Sequence, residues 1–340
     1  MKQRDLVTGA MGIAAPVLAA SPTRATGAVA PTALLEQALF EPPAARPVPY
    51  ADLVHRLARA RAAFSTTRYQ DLGQALPPLI ATAAATRDHT RPGHARDQVH
   101  AAVARAYVLA TELAVKDSSE SAWAAADRAS GDPQVISEAA RMGAITFRRA
   151  GKGEEAAGFL TRTALTFDHH RGDPPPAVLA AKTCLLLTAG YTAACNGHRS
   201  TALALVDEAD ETVQRIPGDQ PQQGLFTITA SPAQVDLYRI GVHTRLGTPD
   251  DAVTHARRIN ADHLPTPEHK ARYHTDSARM WHSIGHPDQT YAHLRAIEHI
   301  APEELRRPSL RALTTDLLYS PQPQRLPDLR AFAARHNALG

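Results

Sequence analysis

The chain is poor in cysteine, in aromatic side chains and in net charge, and each shortage excludes something. Its two cysteines, Cys184 and Cys195, stand 11 positions apart in what reads as one helix. At 1.5 Å per residue that separation is roughly 16 Å, whereas disulfide-linked Cα atoms lie within about 7 Å of each other. A disulfide-stapled fold is excluded, and the cysteines give no sign of an oxidising compartment. Aromatic residues make up 5% of the chain, too few for a sheet built on aromatic and β-branched side chains. Lys plus Arg number 37 against 34 for Asp plus Glu, spread along the chain rather than gathered in a block. That balance argues against direct nucleic-acid binding. The 17 histidines are scattered, so positive charge should rise below about pH 6.5.

Long uninterrupted apolar runs are also scarce. Val178 to Cys195 is about long enough to span a bilayer, but Lys182 and several threonines interrupt it, which predicts a core helix and no membrane association. At the start of the chain, Lys2 and Arg4 precede an apolar stretch from Leu6 to Ala20, and Ala28-Val29-Ala30 resembles a cleavage site for export. Gly9, Gly12 and Pro16 break that stretch, and no twin-arginine pair is present. The expectation is a cytoplasmic protein, with export through residues 1–30 as the alternative.

What the chain does have is alanine, proline and helical periodicity. Pro (26) outnumbers Gly (19), as suits short helices punctuated by proline. Residues 1–49 read as an irregular leader and linker with one short helical candidate, Thr32 to Phe40, and residues 50–340 as a helical repeat domain. Val99, Val103, Ala106, Ala110 and Leu113 illustrate the apolar stripe.

Internal repetition is the most informative feature. Four segments share one pattern: Arg149-Ala-Gly-Lys-Gly-Glu-Glu-Ala156, Cys195-Asn-Gly-His-Arg-Ser-Thr-Ala202, Arg245-Leu-Gly-Thr-Pro-Asp-Asp-Ala252 and Ser283-Ile-Gly-His-Pro-Asp-Gln-Thr290. In each, a glycine ends one helix in the left-handed conformation that glycine reaches without a Cβ penalty. Five positions later a small residue opens the next helix where two helices must approach closely. The glycines recur at intervals of 46, 50 and 38 residues, an irregular array. The pattern predicts an all-α, tetratricopeptide-like α-solenoid of about seven helical hairpins in a right-handed superhelix. Their helices are expected near 51–65/69–86, 97–115/118–130, 134–149/153–169, 177–195/200–215, 232–246/249–260, 267–284/288–300 and 306–319/326–337. The stretch from Pro217 to Pro232 is the longest break in the array and a candidate groove-side loop.

The chain resembles the tetratricopeptide-repeat-like sensor region of actinobacterial, Streptomyces-type, helix-turn-helix (XRE-type) transcriptional regulators. The carrying stretches are Arg4-Asp-Leu-Val-Thr-Gly-Ala10 with the Ala-rich linker after it, Tyr69 through Leu79, Ala122-Trp-Ala-Ala-Ala-Asp-Arg-Ala129, Gly131-Asp-Pro133 and Glu298-His-Ile-Ala-Pro-Glu303. The family usually carries a DNA-binding domain ahead of the Arg-Asp-Leu linker, and here Met1 sits almost at that linker. The resemblance therefore implies a detached sensor or adaptor.

The sequence contains no Gly-rich phosphate loop, no His-Glu-x-x-His, no Cys-x-x-Cys and no Gly-x-Ser-x-Gly, so the common motif-bearing enzyme classes lose support. His282 and His286 straddle the Gly285 turn, and His169-His170 are adjacent. Neither pair has a third ligand in pattern, so no metal and no cofactor is expected. Asp127-Arg128 and the Arg272, Asp276, Arg279 set read as salt bridges between neighbouring hairpins.

Polar residues on the first helices of such repeats face the concave surface, where they meet peptide carbonyls or carboxylates. The candidate groove residues are Tyr107, Arg141, Tyr191, Asn196, Gln234, Tyr238, Arg272 and Asp276. The expected function is a non-enzymatic regulator or adaptor binding a peptide, a small metabolite or a protein partner, with a homodimer as one assembly it allows. The rival reading is an enzyme or accessory protein of natural-product biosynthesis with His243, Tyr238 and Asp276 converging; a third is an exported scaffold.

Overall fold

A computed structural model of the chain describes residues 31–35, 43–117, 133–169, 173–217, 230–320 and 326–339. The protein is all-α, and no strand occurs among the described residues. In chain order the helices are α1 (Tyr50–Ser65), α2 (Tyr69–His89), α3 (His94–Asp117), α4 (Pro133–Arg149), α5 (Gly153–Thr166), α6 (Pro176–Cys195) and α7 (Arg199–Gln214). They continue as α8 (Pro232–Arg245), α9 (Pro249–Arg258), α10 (Pro267–Ser283), α11 (Pro287–Ile300), α12 (Pro308–Leu318) and α13 (Leu329–Arg335). Short 3-10 turns occupy Phe167–His169, Ala261–His263 and Pro302–Arg306.

The repeated glycines do what their spacing predicts. Gly151, Gly197, Gly247 and Gly285 adopt φ of 79°, 80°, 71° and 81°. Around each, the next residue's N–H reaches back across the turn: Lys152 to Phe147, His198 to Ala193, Thr248 to His243 and His286 to Trp281. That is the paired closure by which a left-handed residue satisfies the last carbonyls of a helix. Ala156, Ala202, Ala252 and Thr290, the small residues after the turns, are fully buried. Two further turns close the same way without glycine. Thr67 (φ 59°) links α1 to α2 with Arg68 N–H on the Ala63 carbonyl, and Asn337 (φ 53°) ends α13 with Ala338 N–H on Ala333.

Consecutive helices pack on one another: α1 on α2, α2 on α3, α4 on α5, α5 on α6, α6 on α7, α8 on α9 and α10 on α11. A second set of contacts runs α1–α3–α4–α6–α8–α10 and returns from α10 to α1. The chain therefore closes on itself along these six helices. The apolar clusters are local, one spanning Leu35 to Leu113, another Ala140 to Val242, and a third Ala278 to Phe332.

Helix α6 is the one described helix long and apolar enough to cross a membrane; most of it is buried inside the protein. Cys184 and Cys195 both lie on it, one buried and one exposed, and neither forms a disulfide. Part of the leader is packed rather than separate: Leu35 belongs to the first apolar cluster, and Val48 N–H donates to Thr86 Oγ1 at 3.1 Å. The expected second helix at 118–130, the Asp127-Arg128 pair, His170 and most of the 217–232 stretch fall outside the described residues.

Candidate functional site

Four of the eight candidate residues meet. Arg141 on α4 is 3% exposed; its Nη1 donates to Glu138 Oε1 at 2.7 Å and its Nε to Thr188 Oγ1 on α6 at 2.8 Å. The Tyr238 hydroxyl, on α8, lies 3.3 Å from the same Thr188 oxygen. The Arg272 guanidinium, on α10, sits 4.4 Å over the Tyr238 ring and 3.8 Å from Asp276, which Arg279 approaches at 3.5 Å. Gln234 stands one turn before Tyr238 on α8, a spacing that places both on one helix face, and is 2% exposed.

Burial in this cluster is offset by pairing. Desolvation would lower the Arg141 pKa, but the Glu138 carboxylate beside it raises it further. Burial alone would raise the Tyr238 phenol, and Arg272 and Arg141 outweigh that and lower it. Next to this pair, Arg61 of α1 meets Glu112 of α3 at 2.5 Å. Burial, reinforced by Glu138, pushes the Glu112 carboxyl up to about 7 against the pull of Arg61. Glu112 Oε1, Glu138 Oε2, Gln234 Nε2 and His269 Nε2 are buried with no hydrogen-bond partner among the described residues. An unsatisfied buried polar atom costs about 1–3 kcal/mol, more when charged.

The remaining candidates lie elsewhere. Tyr107 packs half-buried against the first apolar cluster. Tyr191 accepts from Arg245 Nε at 3.2 Å, has Arg148 over its ring at 5.1 Å and presses on Gly241. Asn196 caps the end of α6 with its side chain against Gly153, a contact that leaves no room for a Cβ there. These three belong to packing between neighbouring helices.

Sequence reasoning missed Glu138, Glu112, Arg61 and Thr188, which bind the cluster together. The available signal was charge at helical spacing within apolar stripes: Glu138 with Arg141, and Glu112 with Lys116. It also missed a second polar node next to the first. Lys116 Nζ donates to Glu268 at 2.7 Å and to Glu304 at 2.6 Å. The Tyr69 hydroxyl and Arg307 also donate to Glu304, while Glu303 accepts from the Tyr69 and Gln70 backbone N–H groups at 2.9 and 3.1 Å. Desolvation would raise the Glu304 carboxyl, but Lys116 and Arg307 bring it down to about 2.

The histidines sort differently from the catalytic alternative. His243 turns to Thr248 at 3.1 Å and Asp251 at 3.5 Å, while Tyr238 and Asp276 engage arginines, so the three do not converge as one set. His282 approaches Asp316 at 3.9 Å and His286 meets the edge of Trp281. No group of three or more potential metal ligands occurs among the described residues. His274 and His293 face each other, Nδ1 to Nδ1 at 2.8 Å.

In comparison with known proteins, no family model matches the chain, and no curated protein and no solved structure is significantly similar to it.

Proposed function

We propose that this chain is a non-enzymatic regulatory or adaptor module that holds a small polar molecule against the lining formed by Glu138, Arg141, Gln234, Tyr238 and Arg272. The observation that carries the reading is the meeting of Arg141 and Tyr238 at Thr188, with Arg272 stacked over the Tyr238 ring, beside buried polar atoms that have no partner among the described residues. Convergent polar groups on a rigid scaffold are what orient a ligand, and Arg and Tyr do so with directional bonds and contact area. The closed circuit of helices favours a small molecule over a partner helix, because a helix about 10–12 Å across needs an open groove.

Four identical turns and neighbour-to-neighbour packing support a tetratricopeptide-like solenoid as the architecture. The resemblance to sensor regions of helix-turn-helix regulators supports a role for such a module in transcriptional control, in the cytoplasm, with the ligand as the signal. Native mass spectrometry of the protein purified from its own producing host tests the reading. A stoichiometric mass excess over the 36.5 kDa chain, lost on Arg141→Met, is the expected result. A clean unliganded mass together with a stably co-purifying protein would replace it with an adaptor that works through its outer surface.

A further inference from the structure

Helices α4, α6 and α8 carry a second tier of polar side chains beyond the buried one. Seven residues, two helical turns, separate Arg141 from Arg148 on α4 and Tyr238 from Arg245 on α8. Each pair therefore shares a helix face, about 10 Å apart along the axis. On α6, between them, Tyr191 and Thr192 follow Thr188 by three and four residues. The contacts repeat as well: Arg141 Nε donates to Thr188 Oγ1 at 2.8 Å, and Arg148 Nη1 donates to Thr192 Oγ1 at 2.8 Å. In both tiers a guanidinium lies over a tyrosine ring, Arg272 over Tyr238 at 4.4 Å and Arg148 over Tyr191 at 5.1 Å.

The tiers differ in their acids. In the buried tier Glu138, three residues before Arg141, supplies a carboxylate at 2.7 Å, and Arg272 has Asp276. Three residues before Arg148 stands Ile145, an apolar side chain packed with Val108, Ala139 and Met142. Among the described residues no carboxylate lies within 4.0 Å of the guanidinium of Arg148, Arg149 or Arg245. Their bonds go to neutral groups instead: Arg148 to Thr192, Arg149 to the Val115 carbonyl and Arg245 to the Tyr191 hydroxyl. Asp276, the acid whose field reaches Arg245, is shared by Arg272 and Arg279. Partial burial, and then the like charges of Arg307 and Arg148, lower the Arg149 pKa, so positive charge is in excess here. The helix dipole favours basic residues in the last turns of α4 and α8, but it does not account for two of them meeting at one tyrosine.

Donors remain for a ligand. A guanidinium has five N–H groups, and Arg148 and Arg245 each use one in these bonds. The Tyr191 hydroxyl accepts from Arg245 at 3.2 Å and keeps its own proton to donate. Its ring is held by α8, where a Cβ on Gly241 would lie 3.0 Å from Tyr191 Cε2. Arg245 is exposed, and Arg148 and Tyr191 are half-buried, so a solute reaches these donors without any helix moving. We propose that Arg148, Arg245 and the Tyr191 hydroxyl bind a doubly charged tetrahedral oxyanion, either free phosphate or the phosphate group of a small solute. Two unneutralised guanidinium groups match two negative charges, whereas a monocarboxylate leaves one uncompensated, and arginine pairs with phosphate through two parallel bonds. The site lies apart from the buried lining and does not rest on the ligand-holding function proposed above.

Isothermal titration calorimetry of the full chain with inorganic phosphate, at fixed ionic strength, should show saturable binding of one ion per chain. Arg148→Gln and Arg245→Gln should each weaken it about tenfold, the loss of one charge-assisted bond. Tyr191→Phe, which keeps the ring and its packing, should weaken it less. Arg257→Gln removes the same charge from an exposed position on α9 and should leave binding unchanged. Sulfate should compete with phosphate, and acetate should compete about tenfold less well. Tighter binding of glycerol phosphate than of inorganic phosphate would identify the occupant as a phosphorylated solute, and equal affinity would identify the free ion. Arg245 is exposed, so R245Q carries the test if R148Q loses the native circular dichroism spectrum. No saturable binding, binding indifferent to the arginine variants, a loss in R257Q equal to that in R245Q, or acetate binding as well as phosphate overturns the site.

Discussion

Replacing Arg141 by Met tests how the interior is held. Arg141 is 3% exposed and bonds Glu138 and Thr188. Without it, Glu138, itself 2% exposed with Oε2 lacking a partner among the described residues, becomes a buried carboxylate with its bonded cation removed. Breaking a buried pair from one side costs about 3–5 kcal/mol, against a total stability of about 5–15 kcal/mol for ordinary domains. Removing both charges, in E138L/R141M, substitutes apolar side chains of similar bulk, which is often neutral or better. Urea unfolding followed by circular dichroism should therefore show R141M far less stable than the parent and the double variant within about 1–2 kcal/mol of it. A single-variant cost under about 1 kcal/mol, as surface ion pairs give, would refute the assignment of Arg141 to a desolvated pair. Ligand binding is measured separately from stability, since a double variant that regains its unfolding midpoint should still lack the mass adduct.

Other consequences follow from particular contacts. Gly197→Ala forces a Cβ onto a residue at φ 80° with nothing within 4 Å; the backbone alone should cost about 1–2 kcal/mol in the urea midpoint. Gly190→Ala should also destabilise, by about 1–3 kcal/mol, because the added methyl meets Val206 and the Ala202 carbonyl of α7; a gain of about 1 kcal/mol, as in an exposed helix, would show that α6 and α7 are not so close. Glu112→Gln should change the pH dependence: a carboxyl at about 7 in the fold and 4.5 as its ordinary value stabilises fully below 4.5 and loses that contribution as pH rises through 7. Its removal should make the stability curve steeper upward between those values, where His293, lowered to about 4 by burial and His274, gains stability with pH; parallel curves for wild type and variant would contradict the placement of Glu112.

Helix boundaries and turns were legible because glycine at a left-handed position leaves a local mark that recurs. Thr67 and Asn337 make the same turn without that mark, so nothing in the spelling separates them from ordinary helical residues. Arg141, Tyr238, Arg272 and Asp276 could be found as polar residues on first helices of the repeat, since helix phase alone sends them inward. Tyr107 and Tyr191 obey the same rule of spacing yet pack against neighbours, because a tyrosine with an apolar body fits core and groove alike. The Glu303–Glu304 contact had no sequence signal: its partners are more than 230 residues away, and a contact of that span follows from the summed rotation of every intervening helix.

The two ends of the chain are joined by buried polar bonds as well as by apolar packing. The apolar clusters are assembled from helices adjacent in sequence, with Leu53, Phe64, Leu72 and Leu109 in one and Leu185, Leu187, Val206 and Leu160 in the next. The long-range bonds are those of Lys116, Tyr69 and Glu304. Glu304 and Tyr69 are 1% and 3% exposed, so removing Lys116 leaves a buried carboxylate short of a cation, at a cost of about 3–5 kcal/mol. Lys116→Met should therefore lower the urea midpoint about as far as R141M does. A cost under about 1 kcal/mol, as surface ion pairs give, would mean that water reaches the contact and that the ends are held by apolar packing alone.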